Sequence, residues 1–358
     1  HLSIRRQRQM CIRDSSGTFG ELRTNHFHSG VDIKTKGKEG SKVYAFSEGY
    51  VSRIKISKGG YGKAIYIKHI DGKTTVYAHL KRFSKKIEKI VKTKQYLKEN
   101  YEIEIFPGLN EIKISNNELI AFSGNTGGSS GPHLHFEIRD INQKPLNPLN
   151  YGIDVQDNRS PSILGLKIYS LYKNMEIKNS KNLTFYKKDK NSYITDTIQS
   201  IGALGFGVQT IDRQDLASNK NGVYKINTYI DNDTLISIDF NKFSFEETKH
   251  INRYIDYPEF SRNKKRFQKL FIQKNNPLSI YKKERNQGVV SLNENSRYLI
   301  TIEVIDFNQN ITKLFIPIKG TLDTDILNND NKIKIGDSNK LFINRNKKYI
   351  LNQHNSSL

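Results

Sequence analysis

The chain has 358 residues, of which 58 are Lys or Arg and 36 are Asp or Glu, giving a formal net charge of +22. Hydrophobic residues make up 35% and aromatics 10%, enough for real cores at a length that suggests two domains. No run reaches the roughly 18 apolar residues that a membrane helix needs. The basic residues are mostly Lys, spread among abundant Asn and Ile; that pattern reads as an AT-rich coding bias as readily as a binding patch, which argues against a nucleic-acid surface and ranks adhesion to an anionic polymer somewhat above it. Cys11 is the only cysteine, so no intrachain disulfide forms and no redox compartment is implied.

The stretch RRQRQMCIRDS lacks hydrophobic periodicity, and Met10 to Ser15 reads like a translated sequencing adapter. Residues 1–15 are therefore expected to be a non-native leader, with the natural start and any signal peptide missing. From Gly17 to about Asn150 the chain is dense in glycine and short β-type runs. VYAFSEGYVSRIKIS, KAIYIKHI and TTVYAHL predict successive strands turning at Lys58-Gly59-Gly60 and Asp71-Gly72, an antiparallel meander. FSKKIEKIVKTKQYLKEN places Ile87, Ile90, Val91 and Tyr96 near helical spacing behind Ser84 as N-cap, so a helix is predicted there. YEIEIF and ELIAFSG follow as strands, and the latter leads into the glycine-rich NTGGSSG loop.

Asn147 to Gly152 punctuates the end of this unit. Beyond it ILGLKIYSLY, VYKINTYI, TLISIDF, RYLITIEVID and KLFIPIKG predict further strands, with residues 241–285 as a long excursion off the sheet. The expected fold class is mainly β: an antiparallel β-sheet domain over 16–152, then an immunoglobulin-like β-sandwich over 153–320. The Asn/Asp/Lys-rich stretch 321–358 reads as a polar, weakly ordered tail.

The chemistry concentrates in two segments. In SGPHLHFEIRD, residues 133, 135 and 137 share one face of a strand and Leu134, Phe136 and Ile138 the other, leaving His133 and His135 side by side and facing outward. In NHFHSGVDIKT, His28, Gly30 and Asp32 share a face of an extended segment, with Gly30 clearing room for an ion. Imidazole and carboxylate donors of this kind suit zinc, and three protein ligands leave the fourth position for water, as in catalytic sites. Spacing alone leaves open whether His133 or His135 binds, whether Asp32 ligates or orients a histidine, and whether His26 joins them.

NHFHSGVDIKT, VYAHL and SGNTGGSSGPHLHFEIRD, in that order, closely resemble the lysostaphin/LytM-type zinc endopeptidases over residues 17–150. The resemblance implies a lysostaphin-like peptidase domain with one Zn2+ per chain on His28, Asp32 and His135. It makes His79 and His133 the catalytic histidines, and His69 matches no catalytic position. It implies hydrolysis of peptide cross-links in bacterial peptidoglycan, in the periplasm or at the cell surface, with stem-peptide cross-bridges as the favoured substrate. The helical insertion near 85–100 departs from simpler members and is expected to form a cleft wall. Asn117 stands where a turn glycine is usual, which a left-handed conformation tolerates.

The glycines of KGGYG and NTGGSSG either keep the cleft rims low for an extended peptide or are ordinary tight turns. The β-rich region is assigned to binding or positioning, with an envelope partner as its expected use. Asp212, Asp215 and Asn219 suggest calcium, but loop capping is the better account of them. The rival function is a non-catalytic envelope module that binds peptidoglycan or activates an amidase; a third is a zinc protease acting on ordinary proteins.

Overall fold

The computed structural model describes residues 15–109, 111–153, 155–215 and 219–321. The expected leader and tail fall outside these residues, apart from Ser15 and Thr321. Ser15 pairs with Ile33 in the first sheet.

The predicted meander is present. Gly49–Ile56, Lys63–Lys68 and Thr74–Ala78 pair antiparallel in succession within a nine-stranded sheet. His133–Arg139 lies beside Thr74–Ala78, and Val31–Lys34 lies beside His133–Arg139 on its other edge. The run from Val43 to Ser57 divides: Lys42–Tyr44 leaves to join Leu119–Ser123 and Leu80–Phe83 in a three-stranded sheet. Both sheets bury their apolar faces in one cluster, where Val43, Leu80, Phe83 and Ile120 meet Ile54, Ile65, Tyr77, Phe136 and Ile138.

Leu134, Phe136 and Ile138 lie in this core as the period of two predicts. The opposite face is buried too, contrary to the expected outward-facing histidines. His135 is 4% exposed and Glu137 0%, because the segment around residues 17–29, Tyr61 and the β-rich region cover that side of the sheet.

The predicted helix spans Lys85–Leu97 and seats Ile87 and Val91 on the core. Ser84 precedes it without a side-chain cap; instead Glu88 reaches back to accept from the Phe83 amide. Tyr96, expected on the apolar stripe, is 80% exposed, and Ile90 is only partly buried. Asn117 does adopt a left-handed φ of 61°.

Beyond residue 160, Ser162–Leu171 and Gly202–Ile211 centre a five-stranded sheet. Arg297–Ile305, Ile311–Gly320, Lys225–Ile230 and Asp233–Asp239 centre an eight-stranded one. One face of each contributes to a shared cluster that includes Ile168, Phe206, Ile236, Ile302 and Ile316. Ser192–Ile194 and Ile198–Ser200 pair parallel with Ile311–Gly320. The excursion over 241–285 carries the helix Tyr257–Asn263 and two short strands. Phe19 and Phe27 belong to this second cluster rather than the first: Phe19 stacks on Phe243 at 4.9 Å, and Phe27 lies 5.4 Å from Phe243 and 5.8 Å from Phe240.

Candidate metal centre

Register brings the two motifs together. In the antiparallel pair, His135 stands directly opposite Asp32, so both side chains leave the sheet on the same face. His28 arrives from the turn before Val31–Lys34. A tight hairpin over 20–28 holds it, with His28 N donating to Glu21 O and Gly20 N to His28 O, both at 2.9 Å.

Three atoms converge: His28 Nε2 lies 3.1 Å from Asp32 Oδ1 and 3.0 Å from His135 Nδ1, and His135 Nδ1 lies 2.9 Å from Asp32 Oδ1. The far side of each group is already committed. His28 Nδ1 donates to Thr18 O at 2.8 Å, and His135 Nε2 donates to Glu137 Oε1 at 2.8 Å. A neutral imidazole has one hydrogen, so His28 Nε2 and His135 Nδ1 carry lone pairs. Asp32 Oδ2 accepts from Arg23 at 3.2 Å, which leaves Oδ1 to face those lone pairs. Three lone pairs pointed at one another repel unless a proton or a metal ion lies between them. A tetrahedral zinc with bonds of about 2.0–2.1 Å spaces its ligands about 3.3 Å apart, close to the separations found.

The other two histidines stand beside this trio. The His79 ring centroid is 4.7 Å from that of His133 and 5.8 Å from that of His135. His79 Nδ1 donates to Thr126 O and His133 Nδ1 to Gly131 O, both at 2.8 Å, so each keeps its lone pair on Nε2, and that of His133 lies 3.5 Å from Asp32 Oδ1. His79 joins Thr74–Ala78 to Leu80–Phe83 through a left-handed φ of 57°, a conformation found more readily in His than in most residues. The structure thus brings together His28, Asp32, His135, His133 and His79. His26 is exposed, turns its ring Nδ1 to Thr24 O and stays outside the trio. His69 is tied to Glu48 O and Thr75 Oγ1, away from the site.

Electrostatics follow from the burial. Burial alone would raise the Asp32 carboxyl, but His28 and His135 outweigh it and hold it well below the usual carboxylate range. Burial would lower His135, yet hydrogen bonds to Asp32 and Glu137 lift it to about 9, so without a metal a proton on Nδ1 faces Asp32 where a cation would otherwise stand. Burial pushes His79 down to about 4, with the Thr126 carbonyl opposing only in part. Glu137, which burial would raise, is held at about 2 by Arg139 and His135.

Several supporting residues escaped the sequence reading. Glu137 accepts from His135, from Ser29 Oγ at 2.6 Å, from Tyr61 and from Arg139 at 2.6 Å. Burial and Glu137 raise the Tyr61 phenol well above its ordinary value, keeping it a donor. A charged residue on the histidine face of an otherwise apolar strand was the available signal for Glu137. Gly30 serves a different end from the one expected: a Cβ there would lie 2.2 Å from Phe136 O and 2.9 Å from Glu137 Cγ, so the glycine admits the neighbouring strand rather than an ion.

Gly62 and Gly127 also have a specific use. Both have positive φ, and a Cβ on Gly127 would lie 2.3 Å from Gly62 N. Their loops pack together and hold Thr126, whose carbonyl anchors His79. Asp215 and Asn219 act as loop caps, on Asn158 and on Ser16 O.

The profile of peptidase family M23 matches residues 26–99. DD-carboxypeptidase/endopeptidase Mpg of Neisseria meningitidis serogroup B is 35% identical over 132 residues, 37% of this chain and 24% of that protein. Lipoprotein NlpD of Yersinia enterocolitica is 32% identical over 115 residues, 32% of this chain and 93% of that sequence. Among solved structures, the catalytic domain of lysostaphin from Staphylococcus simulans is similar over 41% of this chain and 98% of its own, with 20% identity and a TM-score of 0.31. The chain belongs to peptidase family M23, a metallopeptidase family. It spans about a quarter of the length of the Mpg relative.

Proposed function

We propose that the chain is a zinc-dependent endopeptidase that hydrolyses peptide cross-links of bacterial cell-wall peptidoglycan, in the periplasm or at the cell surface. The convergence of lone pairs from His28 Nε2, His135 Nδ1 and Asp32 Oδ1 carries this reading. The name of the Mpg relative, a carboxypeptidase/endopeptidase, supports peptide hydrolysis. One Zn2+ per chain would be held by those three atoms, with a fourth position left for water. When bound, zinc lowers the pKa of a coordinated water toward about 7 and polarises a carbonyl.

The chain's own groups do the proton work. His79 and His133 have their Nδ1 hydrogens on carbonyls, so Nε2 of either ring takes a proton from the attacking water and, once protonated, donates it to the departing amine. A hydrogen on Nε2 also stabilises the oxyanion as it develops. Glu137 and the Thr18 carbonyl keep the ligand rings in the tautomers the metal needs. Residues 16–152 are assigned to this peptidase unit, and 153–320 to a β-sandwich that positions it and meets an envelope partner.

The test is mass spectrometry of fragments released from purified sacculi by the wild type and by His135→Ala, with casein digested in parallel. Stem-peptide cross-bridge cleavage by the wild type alone is expected. Intact sacculi beside digested casein would reject the cell-wall substrate.

A further inference from the structure

A second group of potential ligands lies away from the histidines. Asp157, Asp212 and Asp306 are all buried, and one carboxylate oxygen from each lies within 4.8 Å of the other two. They come from distant parts of the chain: the segment leaving residue 155, the residue after Gly202–Ile211, and the residue after Arg297–Ile305. Asp306 accepts from the Asn310 amide and side chain, and Asp157 from the Arg159 amide, but Asp212 Oδ1 has no partner among the described residues. Burial and the other two carboxylates push Asp212 up to about 8, and the Arg213 amide and the Arg159 guanidinium offset this only in part.

An independent observation points to a ligand here. Asn221 is 2% exposed, and neither its side-chain oxygen nor its nitrogen has a partner among the described residues. It stands directly opposite Asp212 in an antiparallel bridge, exchanging backbone hydrogen bonds of 3.0 and 2.8 Å. Its amide therefore leaves the backbone on the same face as the Asp212 carboxylate. Buried polar atoms without partners are rare in native proteins and call for an unseen one. Asp157 and Asp212, with Phe307 and Gly222 next to Asp306 and Asn221, also line a cavity of about 20 Å³, room for one ion or water.

We propose that Asp157, Asp212 and Asp306, with the side-chain oxygen of Asn221, bind one divalent cation of the calcium class. The donors are all hard oxygens, with no nitrogen or sulfur to favour zinc. Three carboxylates and an amide oxygen drawn from irregular segments form the kind of all-protein oxygen set that calcium takes at 2.3–2.6 Å, whereas magnesium usually keeps several waters and one or two carboxylates. The cation joins the segment leaving the first sheet to two corners of the β-rich region. Thr18, whose carbonyl orients His28, lines the same cavity, so the cation braces the joint beside the metal centre.

The experiment is calorimetric titration of calcium chloride into the zinc-loaded full chain after calcium-selective chelation, with thermal melting followed in parallel. Binding of one equivalent and a calcium-dependent rise in Tm are expected for the wild type. Asp212→Asn should weaken binding at least tenfold and abolish the rise without altering zinc content. Asn221→Ala, which removes no charge, should weaken it as well and serves if Asp212→Asn fails to fold. Absence of binding by the wild type at millimolar calcium, or unchanged binding in both variants, would overturn the proposal. A calcium-free Asp212→Asn protein that melts above an unresponsive wild type would identify shared protons instead.

Discussion

At the scale of single residues, the site is defined by which nitrogen of each ring is already committed. Glu137 commits His135 Nε2, and the Thr18 carbonyl commits His28 Nδ1. Replacing Glu137 with Gln should lower zinc affinity by about 10–100-fold, measured by competition with a chromophoric chelator, since the amide no longer enforces one tautomer. His79 is different in kind, because it bonds to Thr126 O and stands beside the trio. His79→Ala should retain zinc while kcat falls by about 10²–10⁴-fold; loss of zinc instead would erase the distinction between ligands and proton carriers. The five histidine and aspartate positions were legible because the H-x-x-x-D, Y-x-H-L and H-x-H motifs mark them. Glu137 was marked only by its place on the histidine face, two residues from His135 and from Arg139, whereas Arg23 and Tyr61 meet Asp32 and Glu137 from other segments and no motif reveals them.

At the scale of elements, period and turn chemistry were legible and pairing was not. The alternation in His133–Arg139 predicted which side chains enter the core, but burial of its polar face depends on the covering segment. The helix Lys85–Leu97 follows from the spacing of Ile87 and Val91, whereas Tyr96 extends past the reach of the core. A polar link between elements tests the second unit. Lys167, on Ser162–Leu171, donates to Asp256 at 2.9 Å and to Glu259 at 2.8 Å, at and within the start of the helix Tyr257–Asn263. Burial would raise Asp256, but Lys167 outweighs it, and Lys167 also lowers Glu259. Both carboxyls sit below their unfolded values, so the stability they contribute is present above the ordinary carboxylate range and is lost as pH falls through the lowered values. Urea unfolding between neutral pH and pH 3 should record that loss. Lys167→Met should cost about 3–5 kcal/mol at neutral pH by leaving two carboxylates without their cation, and should flatten the acid dependence.

At the scale of the whole molecule, the two cores are not independent. The hairpin over 20–28 presents His28 to the first sheet while Phe19 and Phe27 pack into the second core, and Phe27 N donates to Thr248 Oγ1 at 2.7 Å. Lys242 pairs with Asp140, and Arg139 lies over the Phe245 ring at 4.6 Å. The β-rich region therefore fixes the approach of His28, which the division into successive units did not anticipate; the phenylalanines at 19 and 27 carry no mark of which core they enter. Phe27→Ala should destabilise by about 3–5 kcal/mol and also weaken zinc retention, a pairing that loss of packing alone would not produce. The most direct measurement is the zinc content of the full chain purified without chelators, beside His28→Ala, Asp32→Ala and His135→Ala. About one equivalent in the wild type and nearly none in the variants is the predicted result. Less than about a tenth of an equivalent in the wild type, or full loading in folded variants, would contradict it.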